Sequence, residues 1–184
     1  MKNLTAANQL TILRMLLIPA FVILLIYGYS GWALVILMAA AITDMLDGLI
    51  ARSTGQNTEL GAWLDPMADK LLLVTMFIVL TLPGIGLNQL PLWFTILVIS
   101  RDVAIGGTAV VYNLAVGPRT FRPSIFGKIA TATYIFTGLI TLWFNYLEQE
   151  SALVTVFIYA SLVITFVSAG HYLVQVIRIA PRRG

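Results

Sequence analysis

Long apolar runs dominate this chain and limit what it can fold into. Six stretches of roughly 20 residues follow one another, separated only by short breaks rich in glycine, proline or charged residues. A helix of about 20 apolar residues spans the hydrocarbon core of a bilayer. We therefore predict an all-α polytopic membrane protein with six transmembrane helices. The predicted spans are residues 9–28, 31–52, 60–83, 90–113, 124–146 and 152–177.

The composition supports this class and excludes several others. Only 10% of the residues are charged, whereas a soluble domain carries about 25%. No polar stretch is long enough to form a soluble domain, so we expect residues 1–184 to make a single transmembrane domain without a nucleic-acid partner. The chain has no cysteine, which excludes disulfides and thiol chemistry. Arg14 interrupts the first apolar run, so we expect a retained span and not a cleaved signal.

Nine of the eleven basic residues lie on or near one side of the membrane if the six spans alternate in direction, while Lys70 and Arg101 fall deeper, within spans. The nine are Lys2, Arg14, Arg52, Arg119, Arg122, Lys128, Arg178, Arg182 and Arg183. The loops 84–89 and 147–151 on the opposite side contain no lysine or arginine, and the second contains Glu148 and Glu150. By the positive-inside rule we expect both termini in the cytoplasm.

Four aspartates interrupt the apolar pattern. They are Asp44 and Asp47 at the end of the second span, and Asp65 and Asp69 at the start of the third. Ionisable groups at membrane depth are costly, so they indicate a functional site. Structural salt bridges are the alternative, but too few basic residues lie nearby. Residues three or four apart share a helix face, so we expect the four carboxylates to meet near the cytoplasmic edge of the bilayer, in a cavity open to water.

Four neighbouring carboxylates would repel one another without cations between them. The set contains no histidine or cysteine, and hard divalent ions such as Mg²⁺ or Mn²⁺ prefer oxygen ligands. Two such ions suit displacement at phosphorus, because they neutralise the attacking and the leaving oxygen. Gly48 and Ala51 leave one face of the second span nearly bare, and Arg52 is suited to phosphate. With Gly61 opposite, the sequence predicts two divalent cations and a diphosphate, with space for a flat group beside it.

The spacing of these residues resembles a known family signature. The pattern Asp-x2-Asp-Gly-x2-Ala-Arg-x8-Gly-x3-Asp-x3-Asp is similar to that of the CDP-alcohol phosphatidyltransferase family. All eight fixed residues are present, namely Asp44, Asp47, Gly48, Ala51, Arg52, Gly61, Asp65 and Asp69. The predicted length and six-helix topology also agree with the family, so the resemblance covers essentially the whole chain.

The resemblance implies an enzyme that uses CDP-diacylglycerol as donor. An alcohol attacks the lipid-bearing phosphate, and CMP leaves. By resemblance, Asp44, Asp47 and Asp65 ligate the metal ions. Asp69 contributes to the second metal site and takes the proton from the attacking hydroxyl as general base. The residues implied to line the cytidine diphosphate pocket are Gly48, Ala51, Arg52 and Gly61, with Asn8, Thr11 and Arg14 of the first helix reaching the nucleotide. The family also implies a homodimer surrounded by membrane lipids. We expect it in a bacterial inner membrane, with its active site facing the cytoplasm.

The acceptor implied by the same resemblance is a glycerol-type alcohol. Arg101-Asp102 and Gly127-Lys128 resemble the branch that makes phosphatidylglycerol phosphate or cardiolipin. Phosphatidylglycerophosphate synthases usually carry an arginine where this chain has Ala109. The resemblance therefore favours phosphatidylglycerol as acceptor and cardiolipin as product, with glycerol 3-phosphate as the alternative acceptor.

Three basic residues are candidates for the acceptor site. Arg119, Arg122 and Lys128 would meet either acceptor at the cytoplasmic surface. The alternative interpretation is that these charges only fix the topology and attract anionic head groups, each charge being worth about 1 kcal/mol near such a surface.

Two other function classes use carboxylates within membranes. Membrane prenyltransferases bind Mg²⁺-diphosphate through two aspartate-rich motifs, but they are generally longer and do not require the set of small residues and arginine found here. A cation transporter needs a polar path across the membrane. The outer halves of the predicted spans contain almost no polar side chains.

Overall fold

The structure is a computed structural model that describes the backbone of residues 6–54, 59–116 and 125–179 and the side chains of residues 9–43, 64, 66–108 and 125–174. The described residues form six α-helices and no strands. They are α1 (Ala6–Ile26), α2 (Ser30–Thr54), α3 (Glu59–Thr81), α4 (Leu92–Val116), α5 (Ile125–Tyr146) and α6 (Ala152–Ile179). Each predicted span overlaps one helix, so the all-α prediction is confirmed for this part of the chain.

The helix ends differ from the predicted spans by at most three residues. The start of α4 has a clear physical cause. Pro91 lacks an N–H group and is favoured at the beginning of a helix, and its carbonyl oxygen accepts the N–H groups of Phe94 at 3.0 Å and Thr95 at 3.2 Å. The helix therefore begins after this proline, at Leu92, and not at residue 90.

Three helices in the described part of the chain are long and apolar enough to cross a membrane. They are Gln9–Ile26, Ile125–Tyr146 and Ala152–Val174, and α2 contributes a shorter apolar stretch, Ser30–Thr43. Large apolar side chains on these helices are exposed, among them Leu16 on α1 and Phe166 on α6, which suits contact with lipid. The six spans and their orientation stay predictions.

The described chain divides into two compact units. The first unit comprises the described residues up to Gln89 together with Gly138–Ser151. The second unit comprises Leu90–Thr137 and the described residues from Ala152 onward. The first unit therefore contains α1, α2, α3 and the end of α5, and the second contains α4, the start of α5, and α6.

In the first unit, α1 packs against both α2 and α3. Buried side chains recur three or four residues apart, as with Ala33, Leu37 and Ala40 on α2, so each helix presents one packed face. A Cβ added to Gly138 on α5 would overlap Met76 Sδ on α3. Lipid tails are as apolar as leucine, so close packing of this kind holds membrane helices together.

In the second unit, polar bonds join α5 to α6. The hydroxyl groups of Thr137 and Ser161 lie 2.9 Å apart, and those of Tyr134 and Thr165 lie 2.6 Å apart. Ser161, Thr165 and Ser168 share one face of α6, and all three are buried. Each such bond between membrane helices contributes about 0.6–2 kcal/mol, so this polar stripe fixes the pairing of the two helices.

Two buried asparagines tie together the connections at one end of the first unit. The Asn88 N–H donates to Asn145 Oδ1 at 2.7 Å, and Asn145 Nδ2 donates to the Asn88 carbonyl oxygen at 3.0 Å. Asn88 Nδ2 also donates to the Gln149 carbonyl oxygen at 2.7 Å, and the Ser151 N–H donates to Asn88 Oδ1 at 3.0 Å. The α3–α4 and α5–α6 connections are therefore held by one network of satisfied polar groups.

Replacing Asn145 by alanine should destabilise the protein. The change leaves buried groups of Asn88 without their partners, at about 1–3 kcal/mol each, so we expect the free energy of unfolding to fall by about 2–4 kcal/mol. Unfolding by a denaturing detergent, followed by circular dichroism, measures this. The control is Gln89→Ala, since Gln89 is exposed and makes only a 3.5 Å bond to the Gly86 carbonyl oxygen. Equal stabilities of the two variants would contradict the network.

Candidate active site

The aspartate motif lies on two helices of the first unit. Asp44 and Asp47 are one turn apart in the last three turns of α2, and Asp65 and Asp69 are one turn apart in the first three turns of α3. The side chain of Asp69 is described. Those of the other three aspartates lie outside the described residues.

Arg14, Asp44 and Asp69 lie at similar heights along the axes of their three helices. Only residues 27–29 separate α1 from α2, and the two helices contact each other, so they run antiparallel. Arg14 lies twelve residues before the end of α1, about 18 Å along its axis, and Asp44 lies fourteen residues after the start of α2, about 21 Å along its axis. Because Arg14 also contacts Asp69, the backbone positions of Arg14, Asp44 and Asp69 share one level of the first unit.

A buried guanidinium holds the carboxylate of Asp69. Arg14 Nη1 on α1 donates to Asp69 Oδ1 on α3. The Arg14 side chain is fully buried, whereas that of Asp69 is 51% exposed. Removing the partner of a buried charge costs about 3–5 kcal/mol, so this contact fixes Asp69 firmly. The result is a positioned carboxylate that is about half exposed.

The other predicted site residues fall into three groups. Thr11 is buried on α1, one turn before Arg14, so both side chains face the interior of the first unit. Lys128 on α5 is exposed. The remaining predicted residues, of whose side chains or whole placement the structure gives no description, are Asn8, Gly48, Ala51, Arg52, Gly61, Arg119 and Arg122.

The predicted metal ligands are compatible with hard cations as far as they are described. Among the described residues, no group of three or more histidine, cysteine, aspartate or glutamate side chains could hold a metal ion. Three of the four predicted ligands lie outside those residues. The donor set consists of carboxylates alone, and Asp69 keeps an exposed carboxylate, which fits Mg²⁺ or Mn²⁺.

A second buried charge pair lies in the second unit. Arg101 Nη1 donates to Asp102 Oδ1 at 2.8 Å, and Arg101 Nη2 donates to Ser168 Oγ at 2.6 Å. Both charged side chains are only 9% exposed. Ser168 was not predicted as a partner of Arg101 and Asp102, although its spacing from Ser161 and Thr165 on α6 indicates the same buried face. The pair therefore also binds α4 to α6.

The chain is similar to known phospholipid-synthesis proteins. A family model for CDP-alcohol phosphatidyltransferase matches residues 4–167. A Mycobacterium tuberculosis protein named phosphatidylglycerophosphate synthase is 34% identical over 182 residues, which cover 94% of this chain and 81% of that protein. A Bacillus subtilis protein named CDP-diacylglycerol–glycerol-3-phosphate 3-phosphatidyltransferase is 31% identical over 139 residues, which cover 67% of this chain and 69% of that protein.

Another Mycobacterium tuberculosis relative is named cardiolipin synthase. It is 42% identical over 106 residues, which cover 57% of this chain and 49% of that protein. The chain thus spans about half the length of this relative, and the two names for similar proteins differ in the acceptor alcohol.

A double-mutant cycle tests the contact between Arg14 and Asp69. Asp69→Asn removes the carboxylate that Arg14 Nη1 contacts, so we expect the free energy of unfolding to fall by up to about 3–5 kcal/mol. In the Arg14→Met background the same change should matter much less, giving a coupling energy above about 1 kcal/mol.

The control cycle pairs Arg14→Met with Glu148→Gln. Glu148 lies far from Arg14, because it follows the end of α5 and lines a cleft beside the turn between α1 and α2. These two changes should be additive within about 0.5 kcal/mol. Additivity in the first cycle would mean that Arg14 does not hold Asp69.

Proposed function

This chain belongs to the CDP-alcohol phosphatidyltransferase family, and from that premise we propose that it transfers a phosphatidyl group from CDP-diacylglycerol to a glycerol-type alcohol, with release of CMP. The observation that carries the proposal is the half-exposed Asp69 carboxylate, which Arg14 holds at the level of Asp44. Asp69 is also the last residue of the eight-residue family pattern on α2 and α3.

In the proposed reaction, the hydroxyl oxygen of the acceptor attacks the phosphorus that bears diacylglycerol. A new P–O bond forms, the bond from that phosphorus to the oxygen of the leaving CMP breaks, and CMP takes the electron pair. The hydroxyl proton passes to Asp69, because a carboxylate within hydrogen-bond reach of a hydroxyl can act as general base. Arg14 already contacts Oδ1, so we assign the exposed part of the carboxylate to the proton.

Two divalent cations, Mg²⁺ or Mn²⁺, are proposed as cofactors. Their ligands would be Asp44, Asp47, Asp65 and Asp69. When bound, such ions supply the positive charge that neutralises the diphosphate and the developing charge on the leaving group. The four aspartates of the family pattern support this proposal, because carboxylates that lie close together at membrane depth need positive charge between them.

The nucleotide is proposed to lie along the same two helices. Gly48, Ala51 and Gly61 allow its close approach, and Arg52 donates to its phosphates. Asn8 and Thr11 stay predicted contacts of the nucleotide. For Arg14 we propose a positioning role through Asp69, since its guanidinium contacts that carboxylate and its side chain is buried.

The acceptor is proposed to be phosphatidylglycerol, which makes cardiolipin the product. Ala109 stands where phosphatidylglycerophosphate synthases usually carry an arginine, and the relative named cardiolipin synthase has 42% identity over its matched part. Arg119, Arg122 and the exposed Lys128 would bind the acceptor phosphate. The second candidate acceptor is glycerol 3-phosphate, favoured by the relative whose match covers 94% of this chain.

We place the enzyme in a bacterial inner membrane as a homodimer with six spans per chain. Both termini and the aspartate site face the cytoplasm in this proposal. The distribution of basic residues supports the orientation, and the dimer rests on the family resemblance alone.

Replacing Asp69 by asparagine should abolish transfer while largely sparing the metal-dependent binding of CDP-diacylglycerol. Asparagine keeps the shape of the side chain but cannot take the proton, and a lost general base lowers the rate by about 10²–10⁴-fold. Release of CMP and equilibrium binding of labelled CDP-diacylglycerol separate the two effects, when both are measured on the fraction of the variant that circular dichroism shows to be folded. Loss of binding with turnover retained would contradict the assigned role.

The acceptor panel tests the activity itself. Purified protein in detergent receives labelled CDP-diacylglycerol with Mg²⁺ or Mn²⁺, and then phosphatidylglycerol, glycerol 3-phosphate, inositol phosphate or serine in separate reactions. We expect labelled cardiolipin from phosphatidylglycerol. Phosphatidylglycerol phosphate without cardiolipin would assign the second candidate acceptor, and the absence of CMP release with every alcohol would contradict the proposed function.

A further inference from the structure

The first unit contains a cleft at the end of its helices away from the aspartate motif. The cleft has a volume of about 600 Å³, which lies within the usual range of about 300–1,000 Å³ for ligand pockets. Its walls include Tyr29, Trp32, Trp143, Tyr146 and Glu148. On α2, twelve residues separate Trp32 from Asp44, about 18 Å along the helix axis. The cleft is therefore separate from the candidate active site.

Four exposed aromatic side chains line the cleft. Tyr29, Trp32, Trp143 and Tyr146 are each at least 50% exposed. The rings of Trp143 and Tyr146 have centroids 6.2 Å apart and planes inclined at 54°. A Cβ added to Gly31 would lie 2.8 Å from two carbons of the Tyr146 ring, so this glycine lets the ring rest against α2. Accessible aromatic faces attract cations through the ring quadrupole.

Glu148 brings a carboxylate to the same cleft in an unusual backbone conformation. Helices α1 and α5 end in the same motif, in which a backbone N–H just past the helix bonds to a carbonyl oxygen five residues earlier. After α1 the N–H of Tyr29 donates to the Leu24 carbonyl oxygen at 2.8 Å, and after α5 the N–H of Gln149 donates to the Phe144 carbonyl oxygen at 3.1 Å. The left-handed residue in such a motif is usually glycine.

After α1 that left-handed residue is Gly28, with a φ of 79°, but after α5 it is Glu148, with a φ of 52°. A side chain held in this region is a reason to look for a function. Here the side chain is a carboxylate that lines the cleft.

The negative charge of the segments around the cleft favours a positively charged ligand. Residues 27–35 and 143–151 contain no lysine or arginine, and their charged residues are Glu148 and Glu150. A ligand that offered only a phosphate would be repelled, whereas a cation would meet one carboxylate and several ring faces. A primary ammonium suits the carboxylate better than a quaternary one, because it can donate N–H bonds.

We propose that this cleft binds the primary ammonium of a phospholipid head group, as carried by phosphatidylethanolamine. Glu148 accepts hydrogen bonds from the ammonium, and the rings of Trp32, Trp143 and Tyr146 surround it. Tryptophan and tyrosine prefer the depth of lipid head groups in a membrane, which places the cleft where such a ligand is present. The proposal does not rest on the proposed transfer reaction, since donor and acceptor in that reaction lack an ammonium group on the lipid.

The test compares lipid affinities of delipidated protein in detergent by native mass spectrometry. Phosphatidylethanolamine, phosphatidylcholine and phosphatidylglycerol with identical acyl chains are titrated in turn. For the unchanged protein we expect the tightest binding with phosphatidylethanolamine. Glu148→Gln should weaken that binding about tenfold, because it removes one charge-assisted hydrogen bond. It should weaken phosphatidylcholine binding less, since a quaternary ammonium donates no N–H bond, and it should not weaken phosphatidylglycerol binding. The matched control, Glu150→Gln, removes the same charge two residues away and should change nothing.

A second variant separates ligand binding from folding. Glu148→Gly removes the carboxylate and relieves the left-handed backbone strain, so the melting temperature in detergent should rise while the affinity for phosphatidylethanolamine falls as in Glu148→Gln. Equal phosphatidylethanolamine binding by the unchanged protein and both Glu148 variants would overturn the proposal. So would an equal loss in Glu150→Gln, or a cleft covered by a second copy of the chain with no lipid bound.

Discussion

The contact between Arg14 and Asp69 is the interaction on which the aspartate end of the first unit depends. A fully buried guanidinium in an apolar surrounding requires a carboxylate, and the carboxylate it contacts is the last residue of the family pattern. The contact joins α1 to α3, while a three-residue turn joins α1 to α2. One ion pair and one short turn therefore set the relative height of both helices that carry the aspartates. A residue of the first helix, outside the eight-residue pattern, thus positions a residue of that pattern.

Much of the fold could be predicted from the sequence, because long runs of apolar residues indicate membrane helices. The spans agreed with the helices to within three residues, and the start of α4 departed because Pro91 begins the helix. The partner of Arg14 was not predicted, since it depends on how helices pack and not on local spacing. The left-handed backbone of Glu148 was also missed, because local preference favours glycine at such a position. The metal-ligand assignments rest on the family pattern and stay predictions.

Several buried polar groups in the described part of the chain join one helix or connection to another. Helices surrounded by lipid gain little from the hydrophobic effect, so packing and hydrogen bonds hold them together. The Thr137–Ser161 and Tyr134–Thr165 bonds join α5 to α6, and the Asn88–Asn145 network holds two connections. Against this background, two of the exposed carboxylates in the described part of the first unit are candidates for function. Asp69 lies at the end proposed for catalysis, and Glu148 lies in the aromatic cleft at the other end.

The central claim is that carboxylates of α2 and α3 share bound divalent cations at the level that Arg14 fixes. Anomalous scattering from crystals of the protein grown with Mn²⁺ and a CDP-lipid tests it most directly. The claim predicts two manganese peaks about 4 Å apart, with oxygen ligands from Asp44, Asp47, Asp65 and Asp69. Manganese bound elsewhere, or no manganese at these four residues under conditions that support CMP release, would contradict it.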